Sequence, residues 1–155
     1  MRLGPGCLAA LMAADLERSI VQRLDEHDLR FTSGRRAIVD GLRRANGPIT
    51  LPELLVLAPE LAQSSAYRNL ALMEAAGVVR RLVHGDDHAR YELAEALTEH
   101  HHHLICESCG VVRDVRFAAE LERALDRTFD DVATAEGFAV GRHAIDVYGT
   151  CADCT

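Results

Sequence analysis

Up to Gly77 apolar residues recur at helical spacing in short blocks, and beyond it the period shortens to that of strands. Leu16, Ile20, Val21 and Leu24 predict a helix over residues 15–27. Thr32 or Ser33 caps a second, which carries Ala37, Ile38 and Leu42 and is ended by Asn46-Gly47-Pro48. Thr50 caps a third, with Pro52 in the first turn where a missing amide costs least, then Leu54, Leu55 and Leu57; Pro59 stops it. Ser64 or Ser65 opens a fourth, running to Ala76, with Leu70, Leu72 and Met73 as core candidates and Gly77 at its C-cap. Residues 78–83 and 89–93 then read as strands of a hairpin across His84-Gly85-Asp86-Asp87-His88.

Short helices followed by a hairpin predict a winged helix-turn-helix over residues 15–93; a plain helical bundle with a polar face is the alternative. In a winged helix the element before the wing enters the major groove. Ser64, Ser65, Tyr67, Arg68 and Asn69 crowd its start, and their hydroxyl, aromatic, guanidinium and amide groups suit phosphates and base edges. After a hinge at residues 94–99 the pattern changes: strands over 104–106 and 111–115, an amphipathic helix over 118–136 and a closing strand over 138–148. Leu121, Leu125, Phe129 and Val132 form one apolar stripe on that helix. Such a small sheet has open edges. A second copy would cover them and the stripe, so a homodimer is expected. The fold class is therefore α+β: a winged helix followed by a small α/β dimerisation domain at residues 100–155.

Composition sharpens this division. The chain is 48% apolar and 26% charged, with a net charge of −7. Eleven arginines stand against nine acidic residues up to Val83, and six against fifteen after it. An arginine-bearing first half can face phosphates while an acidic second half collects cations, because local field rather than total charge steers a partner. No apolar run approaches the roughly 20 residues of a membrane span. Residues 1–14 read as a leader, with Met12 as an alternative start; their apolar part is short and ends at Asp15 without a cleavage pattern. A cytoplasmic location is expected, which keeps thiols reduced and favours metal over disulfides.

The chemistry concentrates in the last third. Cys106/Cys109 and Cys151/Cys154 are two C-x-x-C pairs, able to set four thiolates around one structural zinc ion. Cys7 has no comparable partner motif. Directly before the first pair stand His100, His101, His102 and His103. Alternation along an extended segment puts His100 and His102 on one face and His101 and His103 on the other, so one run can feed two sites. Imidazole suits zinc, iron, nickel or copper, and carboxylates such as Glu92 and Glu122 can complete a mixed sphere.

Taken together, Thr32-x-x-Arg35, Ser64-Ser65-Ala66-Tyr67-Arg68-Asn69-Leu70, His100-His101-His102-His103-Leu104-Ile105-Cys106-x-x-Cys109-Gly110, His143 and Tyr148-Gly149-Thr150-Cys151-x-x-Cys154 resemble the ferric uptake regulator superfamily. The resemblance implies a dimeric, metal-responsive repressor acting on a double-stranded DNA operator, with neither a membrane nor a small-molecule substrate as partner. It also implies roles by position. Cys106, Cys109, Cys151 and Cys154 fall on structural zinc ligands. His100, His102, Glu122 and His143 match a site within the dimerisation domain, Glu122 with a one-residue insertion. Glu92, His101 and His103 match an interdomain sensory site, and Arg35 joins the DNA-binding residues.

The chain also departs from the pattern. Pro48 stands where many members place a ligating histidine, and Arg80 and Ala94 stand near the positions of the aspartate and cysteine of zinc-sensing relatives. His84 or His88 in the wing is then the candidate for the missing ligand. The regulatory cation implied is Fe2+, with Zn2+, Mn2+ or Ni2+ as alternatives. Two other classes compete: a metal-storage or chaperone protein, which leaves Tyr67-Arg68 and the wing unexplained, and a metallohydrolase, for which no zincin-type motif or phosphate-cradling glycine loop is found. An enzyme is not expected.

Overall fold

A computed structural model describes residues 5–45, 47–83 and 89–155, with side chains from residue 14 onward. It divides into two compact units, Met1–Glu99 and His100–Thr155.

In the first unit α1 (Pro5–Asp25), α2 (Ser33–Arg44), β1 (Ile49–Thr50), α3 (Leu51–Leu57), α4 (Gln63–Ala75), β2 (Val79–Leu82) and β3 (Arg90–Leu93) follow one another. α1 starts ten residues before Asp15, where the apolar spacing is first legible. Thr32 caps α2 through the Arg35 amide. Thr50 and Glu53 close a reciprocal capping box on α3, worth about 1 kcal/mol. α4 starts at Gln63, one residue before the expected serines, and Ala62 at its N-cap makes no side-chain cap bond. Gly77, at φ +65, takes the left-handed position after α4, and the Val78 amide reaches back to the Met73 carbonyl at 2.9 Å. The three strands pair in the order β1-β3-β2, all antiparallel. β1 was not legible in the sequence: two residues carry no period, and only Ile49 opposite Tyr91 and Thr50 opposite Arg90 make them a strand.

The core of this unit holds Ile20, Leu24, Ile38, Leu54, Leu70, Met73 and Val78, all sealed from solvent. Each contributes about 1.5–3 kcal/mol by leaving water. On α4, Ala66, Leu70 and Met73 occupy the buried face at helical spacing, which turns Tyr67 and Arg68 outward.

The second unit holds β4 (His102–Cys106), β5 (Val112–Val115), α5 (Ala119–Ala135) and β6 (Asp146–Gly149), with strand order β5-β4-β6. β4 begins two residues earlier than its apolar pattern indicates, taking in His102 and His103. β4 and β5 are antiparallel, whereas β6 runs parallel to β4, with His103 opposite Asp146 and Cys106 opposite Gly149. The closing strand is shorter than the expected 138–148. After Gly137 at φ +74, residues 138–145 run as irregular chain, and strand pairing begins only where β4 offers an edge. The apolar stripe of α5 is not buried within the single chain: Leu121 and Val132 are exposed, as are Leu104, Val147 and Tyr148 on the sheet.

α2 packs tightly on α3 at Gly41, where an added Cβ would stand 2.6 Å from Cδ1 of the fully buried Leu54. Gly41→Val is therefore expected to destabilise the first unit by about 1–3 kcal/mol, seen as a lower urea midpoint with an unchanged slope.

Candidate metal centres and nucleic-acid interface

The two C-x-x-C pairs meet because β6 lies beside β4. Cys106 ends β4, and Gly110 at φ +70 completes the turn that carries Cys109. Register with Gly149 delivers Cys151 alongside, and a second turn closes with the Cys154 amide on the Cys151 carbonyl at 3.0 Å. All four thiols are free, and their sulfurs lie within 4.8 Å of one another. Cys109 and Cys151 Sγ are 3.7 Å apart. A tetrahedron of sulfurs about 2.3 Å from zinc has an edge of about 3.8 Å. Donor chemistry and spacing both fit a structural zinc ion. The Cys151 and Cys109 amides draw Cys106 down to about 6, while the sulfurs of Cys151 and Cys109 push Cys154 up to about 12. Four crowded sulfurs resist simultaneous ionisation, a conflict that a bound dication removes.

The histidine run separates into two groups. His100, His102, Glu122 and His143 bring their ligand atoms within 4.8 Å of one another. Glu122, in the first turn of α5, sets Oε1 at 3.0 Å from His102 Nε2 and Oε2 at 3.6 Å and 3.5 Å from His100 and His143 Nε2. His100 and His143 Nε2 are 3.2 Å apart. The Ile145 amide donates to His102 Nδ1 at 3.2 Å, so the ring's proton lies on Nε2, toward Glu122, and a cation taking Nε2 displaces it. Burial holds His102 below its ordinary range and keeps the ring neutral, the form that ligates. Burial works against the Glu122 carboxylate, yet the His102 hydrogen bond and the neighbouring imidazoles leave its pKa below the usual range. Asp126 stands 3.4 Å from His143 Nδ1, and Phe117 and Phe129 wall the group against the His102 and His143 rings. A neutral, oriented nitrogen and carboxylate set of this kind suits a divalent transition metal.

On the opposite side of the run, His101 and His103 converge with Asp114, their ligand atoms again within 4.8 Å. His103 is buried, and its Nδ1 lies 3.1 Å from Asp146 Oδ1. Asp114 was missed by reading the motifs alone. It lies directly opposite His103 on β5, and the antiparallel register would have located it had the hairpin been drawn out. Glu92 belongs to β3 of the first unit, where it is buried with Oε1 3.6 Å from Arg80 NH1. His84 and His88 lie outside the described residues.

On α4 Ser64, Tyr67 and Arg68 are exposed, and Ser65 and Asn69 are half-buried. No side chain caps the first amides of α4. Arg35 differs from the exposed residues of α4. It is buried rather than exposed, with Nε donating to Asn69 Oδ1 at 3.1 Å and NH1 to the Arg30 carbonyl. Burial, with the nearby charge of Arg68, lowers its pKa. Among the described residues no helix is long and apolar enough to cross a membrane.

A family model described as the ferric uptake regulator family matches residues 26–148. The peroxide operon regulator of Bacillus subtilis (strain 168) is 28% identical over 148 residues, covering 93% of this chain and 97% of its own length. The crystal structure of the Vibrio cholerae ferric uptake regulator is similar with a TM-score of 0.64 and 26% identity, over 84% of this chain and 98% of that one. A zinc-bound manganese uptake regulator has a TM-score of 0.60 and 29% identity, over 85% and 98%.

Proposed function

The chain belongs to the ferric uptake regulator family, whose members here are transcriptional regulators and not enzymes, and on that premise we propose that it is a repressor whose grip on a DNA operator depends on a divalent cation. The observation that carries this reading is the division of four consecutive histidines into two separate ligand groups, one with Glu122 and His143 and one with Asp114. A store for metal gains nothing from sorting its ligands so finely, whereas a switch requires a site that differs from its structural neighbours.

The roles follow from the chemistry of each set. Cys106, Cys109, Cys151 and Cys154 hold a structural zinc ion. His100, His102, Glu122 and His143 hold a second cation and tie α5 to the sheet. The regulatory cation is assigned to His101, His103 and Asp114, with Glu92 as the ligand expected from the first unit and His84 or His88 as a further donor in place of the family's histidine at Pro48. Its identity is Fe2+ by family, with Mn2+, Zn2+ or Ni2+ as the alternatives. A homodimer is supported by the exposed stripe of α5 and the exposed Leu104, Val147 and Tyr148. Two reading heads, each offering Ser64, Ser65, Tyr67, Arg68 and Asn69, then fit a palindromic operator. A cation that binds the DNA-competent arrangement more tightly shifts the population toward it; equal affinity for both arrangements would switch nothing.

Cobalt(II) added to the metal-stripped protein is expected to give the intense near-ultraviolet thiolate-to-cobalt bands of a four-sulfur site. Cys109→Ser is expected to weaken them and to lower the thermal midpoint of the second unit.

Fluorescence anisotropy on DNA from the protein's own promoter, at fixed salt with competitor DNA, tests the function. Operator binding is expected to tighten at least tenfold, about 1.4 kcal/mol, with one cation and to lose that response in His101→Ala. Retention of the response in His84→Ala and His88→Ala would discard the wing ligands. No sequence preference under any cation would sink the repressor reading. The similarity to a peroxide operon regulator adds one arm: loss of binding on adding hydrogen peroxide to the iron form, and not to the manganese form, would identify peroxide as the signal.

A further inference from the structure

The arginine at the start of α2 differs from the exposed groups of α4 in being buried. Arg35 retains 8% of its surface, in the first turn of α2, where its own amide is held by Thr32. Its guanidinium is used inside the protein: Nε donates to Asn69 Oδ1 at 3.1 Å, and NH1 donates to the carbonyl of Arg30. The two donors lie on one rigid fork, so the Arg30 carbonyl fixes the angle at which Arg35 meets Asn69. Asn69 sits on α4 one residue beyond Arg68 and two beyond Tyr67, at the margin of the outward face. Its carboxamide is met by a side chain reaching across from α2.

We infer that Arg35 is a positioning residue for DNA recognition: it does not itself contact the duplex but locks the Asn69 carboxamide in one orientation, Oδ1 inward and Nδ2 as the presented donor. This deepens the repressor reading and rests on it. A free asparagine can flip, offering either an acceptor or a donor. With Oδ1 engaged by an N–H, what Asn69 can meet is an acceptor of the duplex, a phosphate oxygen or the acceptor edge of a base. The tie also explains why a charge is kept in a buried place beside Arg68. Its hydrogen bonds offset the burial, and the guanidinium spans from α2 to the recognition helix as an uncharged side chain of that length would not.

The test separates positioning from phosphate contact by salt. A phosphate-bound arginine contributes about 0.9 to the slope of log affinity against log salt. Operator binding is measured for wild type, R35K, N69A and the double variant across a salt series. Lysine keeps the charge but lacks the fork, so R35K is expected to lose about tenfold in affinity with an unchanged slope. N69A is expected to lose a similar amount, and the double variant no more than either single one. In the free protein the Arg35 Nε–H resonance is expected to be protected from solvent exchange and to lose that protection in N69A, a readout that stands whether or not R35K folds. A slope reduced by about one unit in R35K, additive losses in the double variant, unchanged affinity in N69A, or an Nε–H that exchanges freely in wild type would each overturn the inference. Wild type without operator preference would overturn the repressor reading and the inference with it, whereas normal wild-type binding with any of the other results removes the inference alone.

Discussion

The parallel pairing of β6 with β4 is the constraint on which the second unit depends. One ladder, from His103 opposite Asp146 to Cys106 opposite Gly149, sets four things at once. At its far end it brings Cys151 and Cys154 to Cys106 and Cys109. At its near end it aims the Ile145 amide at His102, sets Asp146 beside His103, and carries His143 to Glu122 and His100. Parallel neighbours need a long crossover, and α5 with its connections supplies it, so Glu122 arrives over the histidines as part of the same crossover. A one-residue slip of this ladder would turn Asp146 to the wrong face and separate the sulfur pairs together.

The two units solve opposite problems. The first seals a conventional apolar core, from Ile20 to Val78, and spends its polar residues on caps and on the outward face of α4. The second keeps its longest helix without a buried residue and seals two histidines instead. Buried imidazoles cost free energy unless they are hydrogen-bonded, and each of these has a carboxylate within about 3 Å, the reach of a hydrogen bond. In a unit with so little apolar interior, polar contacts of this kind carry stability that side-chain burial supplies elsewhere.

Much of this is legible in the sequence. Caps at Thr32 and Thr50, the stop after α4 at Gly77 and the alternation through His100–His103 each rest on a local rule, and local rules survive folding. The limits of the reading were non-local. β1 exists only through β3, and residues 138–145 looked like strand because Phe138 and Val140 are good strand formers; without an edge to pair with they stay irregular. Asp114 is an ordinary acid in sequence and becomes a ligand candidate only through its register with His103. The partner of Arg35 was hidden for the same reason: nothing in the spacing of Arg35 and Asn69 along the chain discloses that α2 and α4 bring the two side chains together.

The same distinction bears on how a cation signal can travel. Asp146 opens β6 and Ile145 directly precedes it, yet one serves His103 and the other His102, whose side chains belong to different ligand groups. A cation drawn to His103 would favour the tautomer with its proton on Nδ1 and so strengthen the bond to Asp146. That bond steadies the strand whose preceding amide already fixes His102. Cations held in both groups would each find their ligands better ordered with the other in place, without any ligand being shared. Coupling of this sort needs two binding sets and one common strand, and the run of four histidines beside β6 supplies both.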